Sequence, residues 1–171
     1  MTLIAYFSHN DENYNVGFIK EGNTSKLAKM IFAALTEKGI KVDLFEIEPI
    51  EKYPSSYNEC IAKAKAELNA KVRPQIKSKC DVSKYDTIYL GYPNWWGDVP
   101  MCVYTFLQEC GDLNGKTIIP FCTHEGSGLG TTESKLKKVC TNALFKSGLA
   151  VQGIVAQQDE KRTKNLIEGW L

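Results

Sequence analysis

The chain has 171 residues, with 21 Lys and Arg against 20 Asp and Glu, a formal net charge of +1 and 43% hydrophobic residues. That length fits a single domain, 1–171, whose core can remove about 70% of the unfolded chain's surface from water, so neither disulfides nor a structural metal are required. Charge without a basic stripe argues against a nucleic-acid partner, and no stretch approaches the ~20 apolar residues of a membrane span.

The apolar run Leu3-Ile4-Ala5-Tyr6-Phe7 reads as a first strand, Thr2 to Phe7, rather than a secretory leader. The expected address is therefore the cytoplasm. Residues 24 to 38 read as a helix, because Leu27, Met30, Ile31, Ala34 and Leu35 follow the i, i+3, i+4 rule, with Gly39 as its C-terminal stop. Between these two elements lies an irregular insertion, residues 9 to 21. Val42 to Ile47 alternates as a second strand, and residues 57 to 70 have the Ala, Lys and Glu content of a helix.

Thr87 to Tyr92 is uniformly apolar, as a strand buried on both faces should be. Pro100 suits the first turn of a helix that presents Val103, Phe106, Leu107 and Cys110 on one face. Thr117 to Cys122 is a fourth strand. Thr132 to about Cys140 is a helix with Leu136, Val139 and Cys140 turned inward. Leu149 to Val155 is a fifth strand, and Asp159 caps a last helix that buries Leu166, Ile167 and Trp170. Cysteines 60, 80, 102, 110, 122 and 140 are at least eight residues apart. That spacing contains no C-x-x-C metal or redox pair, so they read as free thiols in a reducing compartment.

Alternation of strands and helices with right-handed crossovers gives an α/β fold, a parallel sheet covered by helices on both faces. Ligands of such sheets bind outside the carboxyl ends of the strands, where the winding reverses. Three loops at that edge carry unusual chemistry. The first ends in Gly22-Asn23-Thr24-Ser25 at a helix start, where free N–H groups and the helix dipole attract a phosphate; the same residue types also serve as plain N-caps. The second, Pro93-Asn94-Trp95-Trp96-Gly97-Asp98, holds two adjacent tryptophans that cannot both point inward. A flat aromatic ligand, the domain's own helices or a protein interface could cover the outer one. The third, Thr123-His124-Glu125-Gly126-Ser127-Gly128-Leu129-Gly130, is a glycine-rich run of backbone donors, or simply a flexible connection.

Three stretches together resemble the flavodoxin family, in particular its small bacterial branch: Ala5-Tyr6-Phe7-Ser8 with Gly22-Asn23-Thr24, Gly91 to Gly97, and Pro120 to Gly128. The resemblance runs from Thr2 to about Val155. It implies a three-layer αβα sandwich around a five-stranded parallel sheet in the order 2-1-3-4-5 with FMN at the switch point, the arrangement for which flavodoxin is itself the reference case. It further implies that Ser8, His9, Asn23, Thr24 and Ser25 lie at the FMN phosphate. Trp95 and Trp96, with Pro93 and Asn94, would flank the isoalloxazine, and Gly97 would lie near its redox-active nitrogen. Thr123, His124, Glu125, Gly126, Ser127 and Gly128 would meet its pyrimidine edge.

Two features depart from the family pattern. Residues 9 to 21 separate Ser8 from Gly22, with Glu21 where a carboxylate would repel phosphate, so the insertion is expected to loop out and Glu21 to turn away. The near-neutral charge also weakens electrostatic steering toward a basic redox partner. The function implied is an FMN redox protein carrying electrons between cytosolic partner proteins or to small acceptors, as a monomer or weak homodimer. The alternatives are an NAD(P)H-dependent quinone or nitro-compound reductase, and a cofactor-free interaction module on the same fold. A low-molecular-weight phosphatase would need C-x5-R, but Gly128 stands where the Arg should follow Cys122. A phospho-acceptor receiver would need an Asp ending the third strand, which ends instead at Gly91-Tyr92.

Overall fold

The computed structural model of the protein describes residues 1–171. Its first strand, β1 (Thr2–Tyr6), is buried at every position, and its alternating side chains divide the core in two. Leu3 and Ala5, continued by Phe7, point to one face of the sheet, and Ile4 and Tyr6 to the other. This is the period-two geometry of a strand covered on both sides. β1 pairs in parallel with β4 (Val42–Glu46) on one side and β5 (Thr87–Pro93) on the other. β5 pairs with β6 (Thr117–His124), giving the central order β4-β1-β5-β6.

The fifth position of the sheet is split. β7 (Leu144–Phe145) pairs with the start of β6 at Thr117 and Ile118, and β8 (Leu149–Gln152) pairs with its end from Phe121 to His124. The sheet therefore has six strands in five positions, and the order is that of the flavodoxin-like fold. The expected fifth strand stops at Gln152 instead of Val155. Gly153 opens a helix, α5 (Gly153–Gln158), and Val155 is buried from that helix.

α1 (Asn23–Glu37), α5 and α6 (Glu160–Trp170) cover one face, where Leu27, Ile31, Leu35 and Ile167 meet Ile4, Tyr6 and Phe121. α2 (Tyr57–Ala70), α3 (Met101–Glu109) and α4 (Thr132–Val139) cover the other with Cys60, Val103, Phe106 and Leu136. Asp159 caps α6 by accepting the Arg162 N–H at 3.0 Å. Two expected inward residues face out: Val139 is 45% exposed and Leu166 39%. α4 and α6 each bury a narrow stripe, centred on Leu136 and on Thr163 and Ile167, and these two residues lie beside it. All six cysteines are free thiols, and five of them are buried. No helix is long and apolar enough to cross a membrane.

The insertion is ordered. It forms an antiparallel hairpin of β2 (Asp11–Asn13) and β3 (Gly17–Ile19), with Asn15 at φ +61° in its turn. The hairpin is clipped to the N-terminus of α2. Glu12 donates its N–H to the Ser55 carbonyl at 3.1 Å, and its carboxylate accepts the Tyr57 N–H at 2.8 Å. A carboxylate at a helix N-terminus satisfies an orphan donor and complements the dipole.

In the middle of β5 stands Gly91, where a Cβ would overlap the Phe121 ring and lie 2.8 Å from Tyr6 Cβ. Gly91→Ala is therefore expected to lower stability by about 1–3 kcal/mol through overpacking. Urea unfolding checks this, and an unchanged midpoint contradicts it.

Candidate functional site

The loops after β1, β5 and β6 converge at the carboxyl edge of the sheet. The chain leaves β1 through Phe7 and Ser8, makes the hairpin, and returns at Gly22 to begin α1. The two passes are so close that a Cβ on Gly22 would overlap Ser8 Oγ and the His9 carbonyl. Ser8 Oγ accepts the Ser25 N–H at 3.0 Å, doing for α1 what an N-cap side chain would do and Gly22 cannot. The first intrahelical bond runs from Lys26 N–H to the Gly22 carbonyl at 3.1 Å, which leaves the Asn23 and Thr24 N–H groups outside the helical ladder. Asn23 Oδ1 accepts from Gln157 Nε2 at 3.1 Å, leaving its Nδ2 donor facing the start of α5 beside Glu125. Thr24 and Thr123 join the first and third loops through a hydroxyl–hydroxyl bond of 2.7 Å.

Glu21 turns away from this helix start. Its carboxylate accepts from Ser25 Oγ at 2.9 Å and pairs with Lys29 Nζ at 2.6 Å. Partial burial opposes its ionisation, but the bonds from Lys29 and Ser25 prevail and hold its pKa below the ordinary value.

The second loop is a tight two-residue turn. Trp95 and Asp98 exchange N–H···O=C bonds of 3.0 and 3.1 Å, with Trp96 at φ +57° and Gly97 at φ +73° between them. Positive φ at both central positions is the type I′ arrangement, natural for Gly97 and strained for a tryptophan. A bulky residue in that region costs about 1–3 kcal/mol and is held there by its surroundings. Asp98, 6% exposed, supplies the hold: its carboxylate accepts from Tyr104 Oη at 2.6 Å and Val99 N–H at 2.8 Å, and pairs with Lys135 at 3.2 Å. Trp95 packs edge-on against Tyr53, Phe7 and His9, with centroids 4.9, 5.4 and 6.0 Å away. Trp96 is 51% exposed, donates its indole N–H to the Ile61 carbonyl at 3.1 Å, and carries Lys65 over its ring at 4.8 Å.

In the third loop, Gly126 N–H donates to His124 Nδ1 at 2.9 Å. Partial burial lowers the His124 pKa, so the ring is neutral with its hydrogen on Nε2. Glu125 is exposed and has no cationic partner, and partial desolvation of its carboxyl beside the start of α5 pushes it up to about 7.

These walls enclose a cleft of about 250 Å³. His9, Asn23, Thr24, Pro93 and Asn94 line it, as do Trp95, Trp96, Thr123, His124 and Glu125. Ser8, Ser25, Gly97, Gly126, Ser127 and Gly128 do not. The two serines are turned to the loop and to Glu21. The Gly97 carbonyl is held by Thr131 Oγ1 at 2.8 Å and Lys135 Nζ at 3.0 Å, and the Gly128 carbonyl accepts from Asn94 Nδ2 at 2.8 Å. Asn13 and Tyr14 from the hairpin, with Tyr57, Ile61 and Ala64 from α2, complete the wall and were not singled out from the sequence. The available signal was an aromatic residue inside the insertion and another opening a helix otherwise composed of Ala, Lys and Glu.

Two buried polar atoms have no hydrogen-bond partner, His9 Nε2 and Asn94 Oδ1. Both belong to residues of this cleft. Leaving such a group unpaired costs about 1–3 kcal/mol, so their occurrence on two residues of one cleft marks a place where a ligand's polar groups would be met. Burial also lowers the His9 pKa, against an opposing pull from Asp11. A second cleft of about 350 Å³ opens across the hairpin, against the ends of β1 and β4. It is lined by four lysines and four carboxylates and by neither of the loops after β5 and β6.

The sequence matches the family model for flavodoxin over residues 2–168. No curated protein matches it. Among solved structures it is similar to a candidate flavoprotein from Bacteroides eggerthii, with 31% identity over 99% of this chain and 94% of that one and a TM-score of 0.76. It shares its fold with a flavoprotein from Lactobacillus acidophilus in complex with FMN, at 20% identity over 93% and 98% of the two chains and a TM-score of 0.67. The fold is likewise that of the two-electron reduced flavodoxin of Megasphaera elsdenii, at 20% identity over 98% and 96% and a TM-score of 0.60.

Raising the folded-state pKa of Glu125 from 4.5 to about 7 means that the native protein holds a proton the unfolded chain has released. Stability then falls as pH rises through that window, and the loss is complete above about pH 7. Glu125→Gln is expected to remove this contribution, so that the variant gains on the wild type between pH 4.5 and 8. Urea midpoints of both proteins across that range check it, and parallel profiles contradict it.

Proposed function

Because the chain belongs to the flavodoxin family, we propose that the cleft walled by the loops after β1, β5 and β6 holds FMN and that the protein is a redox flavoprotein. The observation that carries this reading is the pair of unpartnered buried atoms, Asn94 Oδ1 and His9 Nε2, on two of the loops that line that cleft.

The residues present fit the group. At the start of α1, the Asn23 and Thr24 N–H groups and the Thr24–Thr123 hydroxyl pair offer a place suited to a phosphate monoester. Of the two carboxylates near that turn, Glu21 is paired with Lys29, and Glu125 lies with the Asn23 side-chain amide at the start of α5. Trp95 and Trp96 supply a flat aromatic wall, fixed by the Asp98 turn, for an isoalloxazine ring. Asn94 offers an acceptor, and His124 a donor at Nε2, for the ring's polar edge. When bound, FMN supplies one- and two-electron redox chemistry, and the protein's part is to orient it and tune it.

The functional reading is electron transfer between cytoplasmic partners. A second reading, reduction of quinone or nitro compounds with a dihydronicotinamide donor, is favoured by two observations. The net charge of +1 offers no acidic field to steer a basic protein partner, and the cleft mouth lies between aromatic side chains. Gly97, expected beside the reactive edge, has its carbonyl clamped by Thr131 and Lys135, so any peptide rotation there breaks two bonds.

FMN added to the apoprotein is expected to bind with its fluorescence quenched. Asn94→Leu, which removes the unpartnered acceptor and the tie to Gly128, is expected to weaken binding about tenfold or more. Quenching titrations of both proteins check this, and equal affinities contradict the role given to Asn94.

A further inference from the structure

The cleft has a second aromatic wall, built by the hairpin in the loop after β1 and by the first residue of α2. Tyr14, on the hairpin, and Tyr57, the first residue of α2, stand with ring centroids 5.8 Å apart and planes tilted by 37°. Both line the cleft, Tyr14 at the mouth with 48% of its surface exposed. The pair is held in register by one carboxylate. Glu12, two residues before Tyr14, accepts the N–H of Tyr57 itself at 2.8 Å, and the neighbouring Asn13 amide donates to the His9 carbonyl at 3.1 Å. The hairpin is thus positioned by the helix that carries the second ring.

The Trp95–Trp96 wall and the Tyr14–Tyr57 wall arise from different elements. The tryptophans follow β5, where the Asn94 N–H donates to the Thr123 carbonyl of the third loop at 2.8 Å and the Trp96 indole is tied to the Ile61 carbonyl of α2. The tyrosines stand on the hairpin and α2. Apart from Asn13, the cleft residues these two elements contribute, Tyr14, Tyr57, Ile61 and Ala64, are apolar or aromatic and include no charged group. A ligand meeting that wall is selected for a flat, uncharged face rather than for charge.

Resting on the FMN reading above, we infer that the Tyr14–Tyr57 pair is a stacking site for a second ligand, a small, uncharged, planar ring compound of the quinone class. The hairpin that makes the chain depart from its family pattern is then the element that selects the acceptor. Tyr14 and Trp96, each about half exposed, open this cleft to solvent, and the Tyr14–Tyr57 wall itself offers a partner no charged group.

The test uses the full-length, FMN-loaded, oxidised protein and tetramethyl-1,4-benzoquinone, which has no free ring position to alkylate the cysteines. Calorimetric titration gives its dissociation constant, and fluorescence quenching gives that of FMN. Tyr14→Ala is expected to weaken quinone binding to the FMN-loaded protein about fivefold or more, the loss of one aromatic contact. Tyr14→Phe, which keeps the ring, is expected to restore the wild-type value. Equal quinone affinity in wild type and Tyr14→Ala, or no quinone binding to the loaded wild type, overturns the inference and leaves the FMN reading standing. A parallel loss of FMN affinity also overturns it, because Tyr14 would then cover the cofactor. Failure of the wild type to bind FMN overturns the cofactor reading, and the second site with it.

Discussion

The passage of Gly22 over Ser8 and His9 leaves room for a hydrogen atom and nothing larger, and the rest of the cleft is arranged around that contact. It closes the excursion of residues 9 to 21 so tightly that β1 and α1 meet as though the insertion were absent. Ser8 caps a helix that begins 15 residues further along the chain, and the N–H groups of Asn23 and Thr24 stay free of the helical ladder. The Thr24–Thr123 bond then draws the loop after β6 onto the same point, and Gln157 ties the start of α1 to α5 through Asn23 and the Glu21 carbonyl. A larger residue at position 22 would part the loops that this contact unites.

Strain at the opposite wall has a comparable source. Trp96 occupies a left-handed conformation because the Trp95–Asp98 turn requires it, and Asp98 is anchored by Tyr104 and Lys135 from two different helices. The two walls are therefore held independently, one by close packing and the other by a buried carboxylate. What remains unsatisfied, at His9 and Asn94, lies between them. A protein that left these groups unpaired for no purpose would forgo stability without return.

Much of this was legible in the sequence. Helical spacing, composition and apolar runs located α1, α2 and the strands β1, β4, β5 and β6 within about two residues, because strands buried on both faces and amphipathic helices are the strongest local signals a chain carries. The three loops stood out through residue types that ordinary connections rarely combine. What was not legible depended on contacts distant in sequence. β7 is two residues long and is a strand only because β6 lies beside it. Val155 follows a strand pattern, yet Gly153 sits against Asn23 and Glu125, where the chain turns into a helix. Val139 and Leu166 satisfy helical spacing but fall just outside the stripe that the sheet covers. The insertion carried no periodicity long enough to show a hairpin of three-residue strands, and its anchor, Glu12 on the Tyr57 N–H, spans 45 residues. Tyr14 and Tyr57 were missed for that reason.

The central claim is that one cleft, and not its larger and more charged neighbour, holds FMN with the phosphate at the first turn of α1. Its most direct test is a nitrogen–proton correlation spectrum of the labelled protein recorded as FMN is added. The expected result is large, saturating shifts of the Asn23 and Thr24 amides, the Asn94 side-chain amide and the Trp95 indole, with the signals of Lys20, Lys52 and Glu48 nearly still. Shifts centred on those last three residues, which line the neighbouring cleft, or no shifts with FMN in excess, would contradict it.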